Sequence, residues 1–158
     1  MAITQSSGRE RLNIHNAIDL ETGNTHMLDV LAVNVASTIM LLMAIEAMYP
    51  GKRLIHVFLD NARYHHAKLV QQWLARSGCR IRLHFIPSYC PHLDPIERLW
   101  GLMHRHCTHN KCYAGFKDFK RAVLTFLREQ VPRNWHVYCD QVTDNFRVID
   151  PADFRVLA

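Results

Sequence analysis

Three prolines within nine residues, Pro87, Pro91 and Pro95, punctuate the stretch LHFIPSYCPHLDPIERLWGLMHR (83–105) and leave its backbone few options. Each ring fixes φ and removes a backbone donor, so neither a strand nor a helix runs through them. Ahead of them, Leu83 and Phe85 alternate with His84, the period of a half-buried strand. Behind them, Asp94 suits an N-cap, Pro95 the first helical position, and Glu97 stands three residues after the cap. Ile96, Leu99, Trp100 and Met103 recur at helical spacing on one face; Glu97, Gly101, His104 and Arg105 fall on another. The spacing predicts a helix from Pro95 to about Cys107, with a carboxylate held in its first turn. Two readings of Asp94 and Glu97 stay open: a capping box, or a side chain available for chemistry.

A second carboxylate follows the same logic. In LIHVFLDNA (54–62) the apolar run Leu54–Leu59 predicts a buried strand that stops at Asp60-Asn61. An acidic residue at the C-terminal end of such a strand faces the crevice where α/β sheets hold ligands. A charge there needs a hydrogen-bond partner or a cation. The alternative is that Asp60-Asn61 caps the next helix. That helix is expected over 64–77, with Ala67, Val70 and Leu74 on one face and Ser77-Gly78 as its stop; a strand is expected over 80–86.

The text LDNARYHHAKLVQQWL, followed by HFIPSYCPHLDPIERLW, resembles the second and third blocks of the DDE transposase catalytic domain. The nearest branch is the mariner-like insertion-sequence one, with the pattern D-N-x-x-x-H and then L-P-x-Y-S-P-x-L-N-P-I-E-x-x-W. The resemblance covers roughly residues 8–120. It implies an α/β fold, an RNase H-like mixed sheet flanked by helices. It implies metal-dependent DNA strand cleavage and strand transfer with two Mg2+ (or Mn2+) ions. Carried over residue by residue, Asp60 is the second catalytic carboxylate and Glu97 the third, both as metal ligands. His65 matches the family histidine, either as a contact to the site or the DNA backbone or as a solvated first-turn residue. Arg63, Lys68, Arg98, His104 and Arg105 are candidates for DNA phosphate contacts, although each also suits an ordinary solvated charge. His104 stands where a Lys is common and is the weaker contact, being mostly neutral at pH 7. Asp94 stands where Asn is usual, and Asn16 where Gly is usual.

The earlier part of the chain predicts a hairpin, with strands within 9–20 and over 25–33 around the turn Glu21-Thr22-Gly23-Asn24. In the resembled family the first catalytic aspartate lies on a strand just before this hairpin. No acidic residue precedes Glu10 in this sequence. The expectation is an N-terminally truncated catalytic domain that lacks the first strand, has two open pairing edges and is inactive or nearly so. Asp19 and Asp29 are the available substitutes, but a turn aspartate more often serves local backbone hydrogen bonds. Residues 35–48 predict a deeply packed helix, apolar on nearly all faces, with Asn34 as N-cap and Met40, Met43 and Met48 as core filler. It is too short to span a membrane. A further amphipathic helix is expected over 115–130, with its stripe on Phe116, Phe119, Val123, Phe126 and Leu127 and a stop at Pro132. A last helix is expected within 134–149, closed by Asp150-Pro151.

Length and charge fit this picture. The 158 residues suit one domain, 1–158, with no helix-turn-helix region ahead of it. A formal charge of +5 suits a polyanionic partner. The expected partners are DNA, at mobile-element ends and target, and a second copy or a full-length transposase. Five irregularly spaced cysteines fit a reducing compartment, here a prokaryotic cytosol with nucleoid association. HRHCTHNKC (104–112) has the residue types of a zinc site without its paired spacing. Two alternatives to the enzyme stand: a non-enzymatic fragment that binds DNA or modulates a full-length transposase, and a small zinc module.

Overall fold

The computed structural model describes residues 10–87 and 94–144. The chain opens with an antiparallel hairpin, β1 (Ile14–Ile18) and β2 (Thr25–Asp29), in which Asn16 faces Met27. Asp19 builds the turn. Its Oδ1 accepts the Glu21 N–H at 2.8 Å and its Oδ2 accepts the Tyr49 hydroxyl at 2.6 Å. Gly23 has φ +73°, and the space a side chain would need is filled by the Trp135 ring. The turn therefore demands glycine twice over.

Helix α1 (Val35–Met48) starts on a complete capping box. Asn34 Oδ1 accepts the Ser37 N–H at 3.0 Å, and Ser37 Oγ accepts the Asn34 N–H at 2.8 Å. A parallel ladder follows. β3 (Ile55–Leu59) pairs with β4 (Ile81–Phe85), with Ile55 opposite Ile81 and Leu59 opposite Phe85. A 3-10 turn (Arg63–His66) and helix α2 (Lys68–Leu74) connect them. The single helix expected over 64–77 is thus broken, because Ala67 is extended, with φ −60° and ψ 144°. Helix α3 (Pro95–Met103) runs into a π-helical turn (His104–Thr108). Helix α4 (Phe116–Thr125) continues through a second π-helical turn (Phe126–Gln130) into α5 (Val131–Arg133), and α6 (Trp135–Thr143) follows. Pro132 does not stop the helix as expected; it sits in the first turn of α5, where a missing N–H costs nothing. The proposed closure at Asp150-Pro151 lies outside the described residues.

Two hydrophobic clusters hold these elements. One joins α3, α4, α5 and α6 to the hairpin through Met27; Leu99, Leu102, Val123, Phe126, Leu127, Val131 and Val142 are almost fully buried within it. Each such side chain contributes about 1.5–3 kcal/mol of transfer free energy. The other joins α1, α2, β3 and β4 through Leu41, Leu42, Ile45, Val70 and Ile81. The hairpin bridges them: Ile14 and Ile18 pack on the first cluster, Ala17 and Leu28 on the second.

The architecture is α/β, with parallel and antiparallel strands flanked by helices, consistent with an RNase H-like domain. Among the described residues the strands form two separate two-stranded ladders, so each of the four strands keeps an open edge. Two packing expectations are corrected. β3 is not buried on both faces, because His56 and Phe58 are exposed. Met40, Met43 and Met48 are also exposed; α1 packs through Ser37, Thr38, Leu41, Leu42 and Ile45 instead. No helix among the described residues is long and apolar enough to cross a membrane.

Candidate active site

Asp60 follows directly on β3, where the ladder ends. Its Oδ1 accepts the Ala62 N–H at 3.1 Å, a local turn that aims the carboxylate away from the strand. Asn61 then ties the two strand ends together by donating Nδ2–H to the Ile86 carbonyl at 2.8 Å. The Asp60 side chain is 63% exposed, and no Lys or Arg pairs with it among the described residues. Its charged-group partner is His65, whose Nε2 lies 3.2 Å from Asp60 Oδ1.

His65 is buried, and burial lowers its pKa against the opposing pull of Asp60. Nε2 is the ring nitrogen that faces the carboxylate, in position to donate an N–H to it. Its Nδ1 is buried and has no hydrogen-bond partner among the described residues. His65 is therefore not the solvated first-turn residue of one alternative; it is buried and touches Asp60. His15 on β1 forms a second layer. It lies 6.3 Å from the His65 ring and 6.5 Å from Tyr64, and its Nδ1 is 3.3 Å from Ser37 Oγ in the α1 cap. Burial lowers its pKa, with Asp60 acting in the opposite direction. So the hairpin and the start of α1 both converge on the strand-end carboxylate.

The third element is α3. Asp94 caps it, accepting the Ile96 N–H at 3.1 Å. Glu97 is exposed in the first turn and makes no hydrogen bond or ion pair among the described residues, so the capping box is not closed. The Asp94 carboxyl is held above its usual pKa range, first by burial, and then by the charges of Glu97 and Asp60 against the Ile96 N–H. Asp94 thus feels both carboxylates, one from its own helix turn and one from the end of β3. Leu99, Leu102 and Met103 fix the helix from below. Arg98 clamps it to α6, donating to the Val142 carbonyl and Asp144 Oδ2, each at 3.3 Å.

The remaining sequence candidates divide. Arg63 and Lys68 are exposed on the segment that leaves Asp60. Arg98 is engaged with α6, Arg105 bonds Gln141 Oε1 at 3.1 Å, and His104 bonds Thr108 Oγ1 at 3.1 Å. Asp19 and Asp29 are occupied elsewhere, Asp19 in the hairpin turn and Asp29 in an ion pair with Lys120. In 104–112, Cys107 is buried against the Ala122 carbonyl, His106 stacks on Phe126 and Cys112 is exposed. No three His, Cys, Asp or Glu side chains among the described residues are grouped to hold a metal. His15 and Tyr64 carried no sequence signal beyond strand alternation and adjacency to the motif.

The α/β architecture, with one carboxylate at a strand end and another in the first turn of a helix, is consistent with an RNase H-like domain. The chain belongs to the DDE superfamily endonuclease family, whose model matches residues 2–120. It is also similar to the "Insertion element IS630 uncharacterized 39 kDa protein" of Shigella sonnei, at 25% identity over 123 residues. That alignment covers 78% of this chain and 36% of the relative, so the chain spans about a third of that protein's length. No solved structure gives a significant match.

Proposed function

We propose that this chain carries the catalytic carboxylates of an insertion-sequence transposase, cutting and joining DNA strands with Asp60 and Glu97 as ligands to Mg2+ or Mn2+. The observation that supports the reading is the placement of two exposed carboxylates without a Lys or Arg partner among the described residues, Asp60 directly after β3 and Glu97 in the first turn of α3. The donor set suits a hard dication. Both candidate ligands are exposed carboxylates, and neither is neutralised by Lys or Arg among the described residues. Magnesium characteristically takes one or two carboxylates and fills its shell with water and phosphate oxygens, so a cage of three protein groups is not required. When bound, such ions activate a nucleophile and stabilise the leaving oxygen of a phosphodiester.

The protein's own part is positioning. His65 holds Asp60 by its Nε2–H, and His15 and Tyr64 wall off that ring from water. Asp94 secures the first turn of α3 and with it Glu97. Arg63 and Lys68 supply positive charge beside the strand end, where phosphates are positioned without sequence being read. Two of the three carboxylates of the family pattern are matched in this sequence, so we infer slow cleavage by the chain alone. The test is nicking of supercoiled plasmid in Mn2+, with Asp60→Ala and Glu97→Gln as variants. The expected result is slow, dication-dependent nicking by the parent chain and background in both variants. Nicking that survives both substitutions rejects these residues as the site.

A further inference from the structure

A run of cations lies on α4 and its π-helical continuation, outside the elements that carry Asp60 and Glu97. Lys117, Lys120, Arg121 and Arg128, with Leu124 and Thr125 between them, line an open surface groove of about 390 Å3 that Glu129 also lines. Positions 117, 120, 121, 124 and 128 share one helix face. The opposite stripe, Val123, Phe126 and Leu127, is buried in the core. Lys120 and Arg121 have exposed ion pairs with Asp29 and Asp118. Lys117 and Arg128 have none among the described residues, and both are exposed.

We propose that this face grips the phosphate backbone of duplex DNA and holds it while the carboxylates work elsewhere on the domain. The inference rests on the DNA-cleavage reading and adds a surface to it. Lys117 and Arg128 stand eleven positions apart along the helix, a span of about 16 Å. That length matches roughly five base-pair steps along a duplex strand. Exposed pairs such as Lys120–Asp29 are weak, so phosphates displace the acids at little cost. Lysine and arginine on one exposed face, with no element built to enter a groove, suit backbone contact rather than base reading. The face lies mostly beyond residue 120, outside the family match, so the resemblance assigns it nothing.

The test is fluorescence anisotropy with a labelled random-sequence duplex, without dication, titrated across a series of salt concentrations. Lys117→Glu/Arg128→Glu is expected to weaken binding at least about tenfold at low salt and to cut the salt slope by about 2, near 0.9 per lost phosphate contact. Lys117→Gln/Arg128→Gln is expected to lose the same slope with a smaller loss of affinity. Lys52→Glu/Arg53→Glu makes the same charge change away from α4 and is expected to keep the slope. Unchanged slope in both α4 variants, or an equal loss in the Lys52/Arg53 control, overturns the proposal. If the α4 variants bind like the parent while Asp60→Ala still abolishes nicking, this face alone is rejected. If the parent binds no duplex at low salt, the DNA reading falls with it.

Discussion

Glu46 is the tie between α1, α2 and β4, and removing it tests the packing logic that carries Asp60. Its side chain is 13% exposed. Oε2 takes the Arg76 guanidinium, and Oε1 accepts the Arg80 N–H at 2.7 Å. Arg80 in turn donates to the Glu46 carbonyl, left over in the last turn of α1, at 2.6 Å and to the Lys52 carbonyl in the turn beyond it at 2.8 Å. Arg76 also lies over the Trp73 ring, 3.7 Å from its centroid. A charge-assisted hydrogen bond is worth about 1.5–3 kcal/mol when buried. Arg76 is 35% exposed and Arg80 27%, so each bond is discounted for solvent screening. Glu46→Ala is then expected to cost about 2–3 kcal/mol, and Glu46→Gln, which keeps the Arg80 N–H acceptor, about 1 kcal/mol. Urea unfolding reads this as a midpoint lower by about 1 M for Glu46→Ala at unchanged slope. A loss below about 0.5 kcal/mol for both variants would show that the helix end and β4 are held by apolar contact alone.

Three further outcomes follow from the same geometry. Gly23→Ala places a Cβ 2.5 Å from Trp135 Cδ2 at φ +73°, and should cost more than about 2 kcal/mol in the same unfolding assay. Asp94→Asn keeps an equally good N-cap and removes a carboxyl whose pKa is raised in the folded state. A raised carboxyl pKa means the native state holds its proton more tightly, so ionisation penalises folding as pH rises through the carboxylate range. The variant should therefore be the more stable protein near neutral pH and lose that advantage in acid; equal stability at both ends refutes the assignment. His15, His26 and His65 are all lowered from 6.5, each chiefly by burial. The unfolded chain then binds more protons below that value, and stability should fall as pH drops beneath it, less steeply in His65→Gln. A stability flat between pH 7 and 5 contradicts that.

Much of this organisation is legible in the sequence. Asn34 and Pro50-Gly51 bracket α1 because capping and stop chemistry are local. Asp94, Pro95 and the Ile96–Met103 spacing locate α3 for the same reason. Where local signals are silent, the reading misses. An all-round apolar helix has no preferred face, so nothing in the periodicity of α1 says that Met40, Met43 and Met48 look outward. The run IHVFL reads as buried because Phe58 is apolar, yet His56 and His84 share its open face, with His84 stacked 4.8 Å from the Phe58 ring. The break at Ala67 has no side-chain cap to announce it. At the site, the motif spacing marks Asp60 and Glu97. The approach of His15, which comes from the hairpin, is set by tertiary packing and is not written in any short pattern. The basic face of α4 follows from charges set opposite its apolar stripe, but charge spacing alone does not distinguish a binding face from an ordinary solvated one.

The central claim is that Asp60 and Glu97 serve one cation site. Mn2+ affinity, measured by the loss of the free-ion EPR signal, tests it through Asp60→Asn, Glu97→Gln and the double variant. Shared ligation predicts at least about a tenfold loss, 1.4 kcal/mol, in each single variant and little further loss in the double. Single losses that simply add, or affinity unchanged by either substitution, would mean that the two carboxylates do not act on a common ion.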